Sequence, residues 1–375
     1  MSSGTPWLPS SARPSQRGLE GLGSDLADRC RASIIIVHYN RPQHLERVLR
    51  SLQKDGRREY EVIVIDNASR DGSAQHVVSR FPGVRLMRNQ ANLGFAAANN
   101  RAARQALGHY LAFLNPDTEV EPGWLEALIG ALQAQPDAGL VTAQVLLMHD
   151  ANRINACGND MHLTGFTLCR AMGAERRSSG VLTEVGAVSG AAFAMRRDLY
   201  ELLDGFDESF FLYMEDSDLS LRARLAGYHC LSVPSSLVYH DYQLCFGPQK
   251  TYYHERNRYA MLLKTFRWPT LVAMLPALAL GELVAWSFVL LYEPGRVGNK
   301  LRAYAWIARR WRQLMQDRRQ TQVLRRVPDR DLLGLSTYRL DYGQIGNGPV
   351  SRMAGLVLDP LFYILRRLVL GVVRW

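Results

Sequence analysis

The sequence predicts an α/β fold: a Rossmann-like, mostly parallel sheet with helices on both faces, followed by a helical, basic C-terminal region. Three observations carry that reading. The runs Ile34-Ile35-Ile36-Val37 and Val62-Ile63-Val64-Ile65 are continuously apolar rather than alternating, as in strands buried on both faces. Segments with a helical apolar stripe separate the strand runs, which is the βαβα order of a parallel sheet. The polar residues cluster where those strands end, and ligands of an open α/β sheet lie beyond the carboxyl ends of its strands.

Ser33–Asn40 reads as the first strand, and Pro42 then stands at a first helical turn, where a missing N–H costs nothing. Leu45, Val48, Leu49 and Leu52 follow at i, i+3, i+4, i+7, an apolar helix stripe. Glu61–Asp66 is the second strand, Ser73–Ser79 a short helix and Val84–Arg88 the third strand. Gly94–Leu107 is an Ala-rich helix, Tyr110–Asn115 a strand, Pro122–Gln133 a helix with Trp124, Leu125, Leu128 and Leu132 as its stripe, and Gly139–Leu147 a strand. The strand ends are His38-Tyr39-Asn40, Asp66-Asn67 and Asn115-Pro116-Asp117. No G-x-G-x-x-G loop follows the first strand and no P-loop occurs, so a diphosphate would be held another way, most simply by a divalent cation on a carboxylate.

The chain has 375 residues, 47% hydrophobic and 21% charged, which excludes a mostly disordered, collagen-like or coiled-coil protein and is too polar for a multi-span membrane protein. None of the five cysteines forms a C-x-x-C pair, so neither a disulfide framework nor a cysteine zinc site is expected, which fits a reducing compartment. Residues 1–30 are rich in Ser, Gly, Pro and Arg and read as a flexible tail without a signal peptide. The positive charge is concentrated: Arg296 to Arg326 holds ten basic residues and one acidic one. Before it lies Thr270–Leu291, apolar but for Glu282 and interrupted by Pro276. An apolar run followed by arginines points to an anionic membrane surface on the cytoplasmic side. Pro276 and Glu282 sit badly in a lone span, so peripheral or shallow insertion is the expectation. Leu356–Trp375, with its interspersed arginines, could lie in the interface plane, and the alternative for the two apolar segments is a pair of buried helices packed on the body of the protein. No recognition module accompanies the arginines, which argues against nucleic acid.

Ser33–Asn40, Glu61–Ser73, Asn92–Asn100, Leu114–Asp117, Gly205–Leu221, Gly227–Pro234 and Val238–His240 together resemble glycosyltransferase family 2 on a GT-A fold, in the flavour of its rhamnosyltransferase-like members. The resemblance covers roughly residues 33–265. It implies a GT-A domain over 31–265, with a nucleotide-sugar-binding half (31–120) and an acceptor-binding half (121–265), then a membrane-associated region over 266–375. It implies Asp216 as the base that deprotonates an acceptor hydroxyl, with Glu215 orienting the acceptor or supporting the base. The macrodipole equally favours such acids at a helix start, and Asp218 reads as the helix cap. Asn115-Pro116-Asp117 takes the place of the family's D-x-D motif with its first acid replaced, leaving Asp117 to hold Mg²⁺ or Mn²⁺ together with His240. For the donor, Asn40, Asp66, Asn67, Asn92, Gly94, Asn99, Asn115 and Gly190 are the implied contacts. A carboxylate at Asp66 can accept the imide N–H of uracil or thymine, or cap the next turn. Asn92 can equally start a helix. Arg256, in Tyr253-His254-Glu255-Arg256-Asn257-Arg258, could contact diphosphate or lie on a solvated face. The Asp150–Glu184 stretch, without pattern of its own, is expected to shape the acceptor pocket.

The function so implied is inverting transfer of a sugar, L-rhamnose from dTDP-rhamnose or a UDP-hexose, to a hydroxyl of a lipid-linked or cell-surface glycan at the cytoplasmic face of the plasma membrane. A homo-oligomer is compatible with it. Two competitors remain at this stage. A sugar-phosphate nucleotidyltransferase would need a Gly-rich basic loop that residues 36–44 lack, and a non-catalytic, membrane-attached sugar-nucleotide-binding protein would not need Asp117, Asp216 and His240.

Overall fold

The computed structural model of the chain describes residues 30–56, 59–177, 180–242, 249–344 and 349–375. The tail expected over 1–30 falls outside them apart from Cys30, as does Cys245. The strands are β1 (Ala32–His38), β2 (Tyr60–Asp66), β3 (Val84–Arg88), β4 (Tyr110–Leu114), β5 (Thr118–Val120), β6 (Ala138–Leu147), β7 (Asp150–Ala156), β8 (Asn159–Met161), β9 (Thr167–Cys169), β10 (Thr183–Glu184), β11 (Ala192–Arg196) and β12 (His229–His240). Among them run helices α1 (Pro42–Asp55), α2 (Ser73–Val78), α3 (Gly94–Ala103), α4 (Trp124–Ala134), α5 (Arg197–Leu202) and α6 (Glu215–Leu225).

The main sheet runs β10-β12-β6-β11-β4-β1-β2-β3, with β5 on β12 and β7 on β6. β3, β2, β1 and β4 are parallel, as the alternation requires. β11 enters antiparallel between β4 and β6, while β12 runs parallel to β6. Nothing in the sequence announces that insertion, because β11 is only five residues long and its partners lie far away in the chain. The predicted stripes of α1 and α4 pack on one face of the sheet with Ile34, Ile36 and Val64. The alanines of α3 pack on the other face, together with Ile35, Ile63, Phe113 and Phe193. Side chains this small let α3 lie close against the sheet.

Among the described residues six further α-helices follow: α7 (Lys250–Thr265), α8 (Trp268–Tyr292), α9 (Val297–Arg309), α10 (Trp311–Val323), α11 (Asp329–Gly334) and α12 (Pro349–Val372). They are not a detached appendage. Met261, Leu262, Met274, Leu314 and Leu333 share one core with Phe210 and with Leu221 of α6. By length and composition α8 is, among the described residues, the helix able to cross a membrane. Its lone acid has another use. Glu282 pairs with Arg258 at 3.1 Å and Lys300 at 2.5 Å, and both cations also meet Glu255, at 3.0 and 2.6 Å. Tyr259 and Tyr304 donate their hydroxyls to the same carboxylate. The middle of α8 is thus fastened to α7 and α9 by an internally neutral ion cluster.

The basic run divides in the same way. Lys300 and Arg318 are buried, Arg318 donating to the carbonyls of Leu263 and Phe266, and Arg325 pairs with Asp329 at 2.6 Å. Arg302, Arg309, Arg310, Arg312 and Arg319 are exposed.

Candidate functional site

β4 delivers Asn115, Pro116 and Asp117 to the carboxyl rim of the sheet. The chain turns at once into β5, which pairs antiparallel with the end of β12, Thr118 opposite His240. That register brings two distant segments together: His240 Nε2 stands 3.3 Å from Asp117 Oδ1. On the far side of the ring, Nδ1 donates to Asn155 Oδ1 at 2.9 Å. In the neutral imidazole this leaves a lone pair on Nε2, aimed at a buried carboxylate oxygen. Lone pair against carboxylate is repulsive unless a proton or a cation lies between them. Burial acts to raise the Asp117 carboxyl, and a proton on His240 Nε2 between the two would hold it below its ordinary value. Among the described residues no group of three or more His, Cys, Asp or Glu assembles a closed metal site. The pair suits an ion such as Mg²⁺ or Mn²⁺, which binds through one or two protein groups and takes its remaining oxygens from substrate phosphates and water. Asn155 then serves as the outer partner that fixes the histidine tautomer.

Asp216, at the start of α6, is surrounded by donors. Gly190 N–H reaches its Oδ2 at 2.8 Å and Asn159 Nδ2 the same oxygen at 3.4 Å. Ser217 N–H and Oγ reach its Oδ1 at 2.7 and 3.2 Å. Burial raises the Asp216 carboxyl, and these donors moderate the rise. Its neighbour Glu215 is buried with Oε2 unpartnered, and burial, then the charges of Asp216 and Asp218, push its carboxyl up to about 8. The two carboxyls titrate as a coupled pair; Asp216 accepts four hydrogen bonds, which favour its charged form, whereas Glu215 Oε2 accepts none. Asp218 does not cap α6 as expected. It is fully buried, 2.7 Å from Arg222 and 2.8 Å from Lys264, so it serves as the counter-ion of two buried cations.

The backbone before α6 is under strain. Phe211, Tyr213 and Met214 have φ of 63°, 67° and 69°, the left-handed region that costs a non-glycine residue on the order of 1–3 kcal/mol. Arg256 and Asn257 hold it there. Arg256 donates to the carbonyls of Ser209 and Phe210 at 2.5 and 2.7 Å. Asn257 Nδ2 reaches those of Phe210, Leu212 and Tyr213 at 3.1, 3.1 and 2.8 Å. Both side chains are buried, so Arg256 is neither a diphosphate contact nor part of a solvated face. The sequence reading missed this clamp. Its only signal was two strong hydrogen-bonding side chains adjacent on an otherwise packed helix.

Several predicted donor contacts are used inside the protein. Asn67 Nδ2 donates to Asn92 Oδ1 at 2.8 Å and to Gly94 O at 3.2 Å, while its Oδ1 accepts from Asn89 Nδ2 at 2.9 Å and Leu93 N at 3.0 Å. Asn92 Oδ1 also takes Gly94 N–H at 2.9 Å, and buried Asn99 donates to Phe95 O at 3.0 Å. These amides shape the loop around the strand ends. Gly94, at φ +83°, is required because a Cβ there would lie 2.4 Å from Phe211 O, so the close approach is by the strained loop and not by a nucleotide. Asp66 Oδ1 accepts Ser69 N–H at 3.0 Å, the turn-capping alternative, and Asn40 Oδ1 accepts Arg70 N–H at 3.0 Å. Asp71 binds Ser73 N at 3.0 Å, turn chemistry as expected.

A cavity of about 420 Å³ brings the rest together: Asn115, Gly190, Glu215, Asp216 and His240 line it, and Asp117 joins it through His240. Asn40, Asp66, Asn67, Asn92, Gly94 and Asn99 stand outside its walls. Asn155 and Asn159, from the stretch expected to shape a pocket, line it as well. They sit on different strands, and no periodicity marks them in the sequence.

The mixed sheet, with β11 antiparallel between β4 and β6 and a cavity at its strand ends, places the chain in the GT-A fold class. Solved structures share that fold. The mannosyltransferase PcManGT from Pyrobaculum calidifontis in complex with GDP-Man and Mn²⁺ is similar with a TM-score of 0.50 at 17% identity, covering 92% of this chain and 88% of that one. S. aureus TarS 1-349 in complex with UDP-GlcNAc is similar with a TM-score of 0.53 at 16% identity, covering 91% and 88%. In sequence, residues 33–203 match the family model "Glycosyl transferase family 2". An N-acetylglucosaminyl-diphospho-decaprenol L-rhamnosyltransferase of Mycobacterium tuberculosis is 31% identical over 230 residues, spanning 55% of this chain and 75% of that protein. The O-antigen biosynthesis protein RfbC of Myxococcus xanthus is 28% identical over 227 residues, 56% of this chain and 17% of that protein. The chain belongs to glycosyl transferase family 2 and is a glycosyltransferase.

Proposed function

We propose that the chain is an inverting, metal-dependent glycosyltransferase that moves a sugar from a nucleoside diphosphate sugar to a hydroxyl of a lipid-linked or cell-surface glycan, with dTDP-L-rhamnose as the first donor to test and UDP-hexose as the second. The observation that carries this is Asp216 at the wall of the cavity, hydrogen-bonded by Gly190 and Asn159 beside Asn115 and His240. Asp216 takes the proton of the acceptor hydroxyl as its oxygen attacks the anomeric carbon. The bond from that carbon to the diphosphate breaks with its electron pair on the leaving oxygen. One displacement inverts the anomeric centre. Protonated Glu215 holds the acceptor or keeps Asp216 oriented. Asp117 and His240 would hold Mg²⁺ or Mn²⁺, which supplies positive charge to the departing diphosphate. Asn40 and Asp66, on the same rim, remain the candidates for base and ribose.

The relative's action on a diphospho-decaprenol sugar supports a lipid-linked acceptor and a rhamnosyl donor here. Exposed apolar residues on α8 (Val272, Leu275, Leu283, Leu290, Leu291) and α12 (Leu356, Val357, Ile364, Leu368) support peripheral attachment to an anionic membrane at its cytoplasmic face, with the exposed arginines of α9 and α10 nearby in sequence. The anchoring of Glu282 to α7 and α9 supports a helix lying on the catalytic body rather than a free span.

The test is calorimetric titration with dTDP-rhamnose, UDP-GlcNAc and GDP-mannose, with and without Mn²⁺. One donor should bind in a cation-dependent way, and at ~100 Kd it should stabilise the fold by about 2.7 kcal/mol. Silence toward every nucleotide sugar would overturn the reading.

A further inference from the structure

The 420 Å³ cavity has two chemically different ends. One is the polar end already described. The other is apolar: Val284, Ala285, Phe288 and Val289 of α8 line it, and Phe166 and Leu168, before and within β9, line the cavity as well. Of the cations lining the cavity, Arg258 and Lys300 are matched by Glu255 and Glu282, while Lys250 lies over the Tyr213 ring at 5.6 Å; the four α8 side chains themselves carry no charge. The same helix turns Leu283, Leu290 and Leu291 outward, and α12, packed against it, exposes Leu361, Ile364 and Leu368. A chain leaving the cavity along α8 therefore passes from an apolar wall to an apolar surface.

We infer that this wall seats the apolar chain of a lipid-linked acceptor, so that α8 selects the lipid portion while Asp216 receives the sugar hydroxyl. The inference rests on the glycosyltransferase reading above and adds to it a seat for the lipid portion of the acceptor. An acceptor that was saccharide throughout would meet four aliphatic or aromatic side chains of α8 with no hydrogen-bond partner to offer. A polyisoprenoid meets that surface without loss, each buried methylene strengthening binding roughly fourfold. Continuity with the catalytic end distinguishes this occupant from a second copy of the chain, which would cover only the outer face.

The test compares two acceptors, the farnesyl and the methyl ester of N-acetylglucosaminyl diphosphate, with the full-length protein, the donor found by calorimetry and Mn²⁺. For the natural chain, KM for the farnesyl ester should be at least about tenfold below that for the methyl ester. Ala285→Trp, which fills the apolar end, and Val284→Gln, which makes it polar, should each bring the two KM values together, with donor binding by calorimetry confirming the fold. Equal KM values in the natural chain overturn the inference. So does a preference for farnesyl that both variants leave intact, since the chain would then be seated elsewhere. Transfer to neither ester by protein that binds its donor overturns the lipid-acceptor reading itself, and the inference with it.

Discussion

Gly190 N–H donates to Asp216 Oδ2 across 2.8 Å, so a main-chain dipole from the turn before β11 fixes the orientation of a side chain at the start of α6. A Cβ at Gly190 would lie 3.1 Å from that same oxygen. Gly190→Ala is therefore expected to displace the Asp216 carboxylate by a few tenths of an ångström and lower kcat with little change in donor Kd. Steady-state kinetics paired with donor calorimetry checks this, and an unchanged kcat would mean that the contact is incidental.

The unequal carboxyls set the pH dependence. Glu215 has a folded value raised by burial to about 8, so the native state holds a proton that the unfolded chain releases near the ordinary value of 4.5. Stability contributed by that proton is full below the unfolded value and is lost as pH rises through about 8. Glu215→Gln, neutral at every pH, should accordingly melt at a higher temperature than the natural chain above pH 8, with the difference closing toward pH 5. The acid limb of kcat/KM, which reports the raised Asp216 carboxyl, should stay in place in the same variant, because Glu215 is already protonated and uncharged over that range. Melting curves and pH–rate profiles read the two effects separately.

Asn257 satisfies three carbonyls of a loop held in left-handed backbone. Asn257→Ala leaves them without that donor, at a cost on the order of 1–3 kcal/mol in stability. The larger expected signature is catalytic: the loop relaxes, Asp216 loses its aim, and kcat falls while donor affinity persists. Urea unfolding with parallel kinetics tests this. A stability loss without loss of kcat would reduce the clamp to packing.

Asn155 touches the Asp–His pair only through His240 Nδ1, at 2.9 Å. Removing such an outer partner typically costs 10–100-fold in metal affinity. Asn155→Ala should therefore raise the Mn²⁺ concentration required for donor binding by roughly that factor, and His240→Ala should raise it further. Calorimetry at varied Mn²⁺ measures both.

What could be read in the sequence follows what is local. The parallel core, from β1 to β4 with α1 to α3 between them, was legible because continuous β-branched runs and helical stripes need only their neighbours to be recognised. Asp117, Asp216 and His240 were legible as a group through the resemblance, and the β5–β12 register accounts for the meeting of two of them. The mutual hydrogen bonds of Asn67, Asn92 and Gly94 were not legible, since an asparagine at a strand end looks the same whether it binds a nucleotide or its own loop. The clamp of Arg256 and Asn257, the ion cluster around Glu282 and the apolar wall of α8 were illegible. Each depends on contacts between segments that sequence spacing does not relate.

Asp216→Asn tests the central claim most directly. The variant keeps the shape and the partners of the side chain but cannot take a proton. The account predicts donor affinity within a few-fold of the natural chain and kcat lower by ~10²–10⁴. A kcat within a few-fold of the natural value would contradict it, because the proton would then be leaving the acceptor by another route.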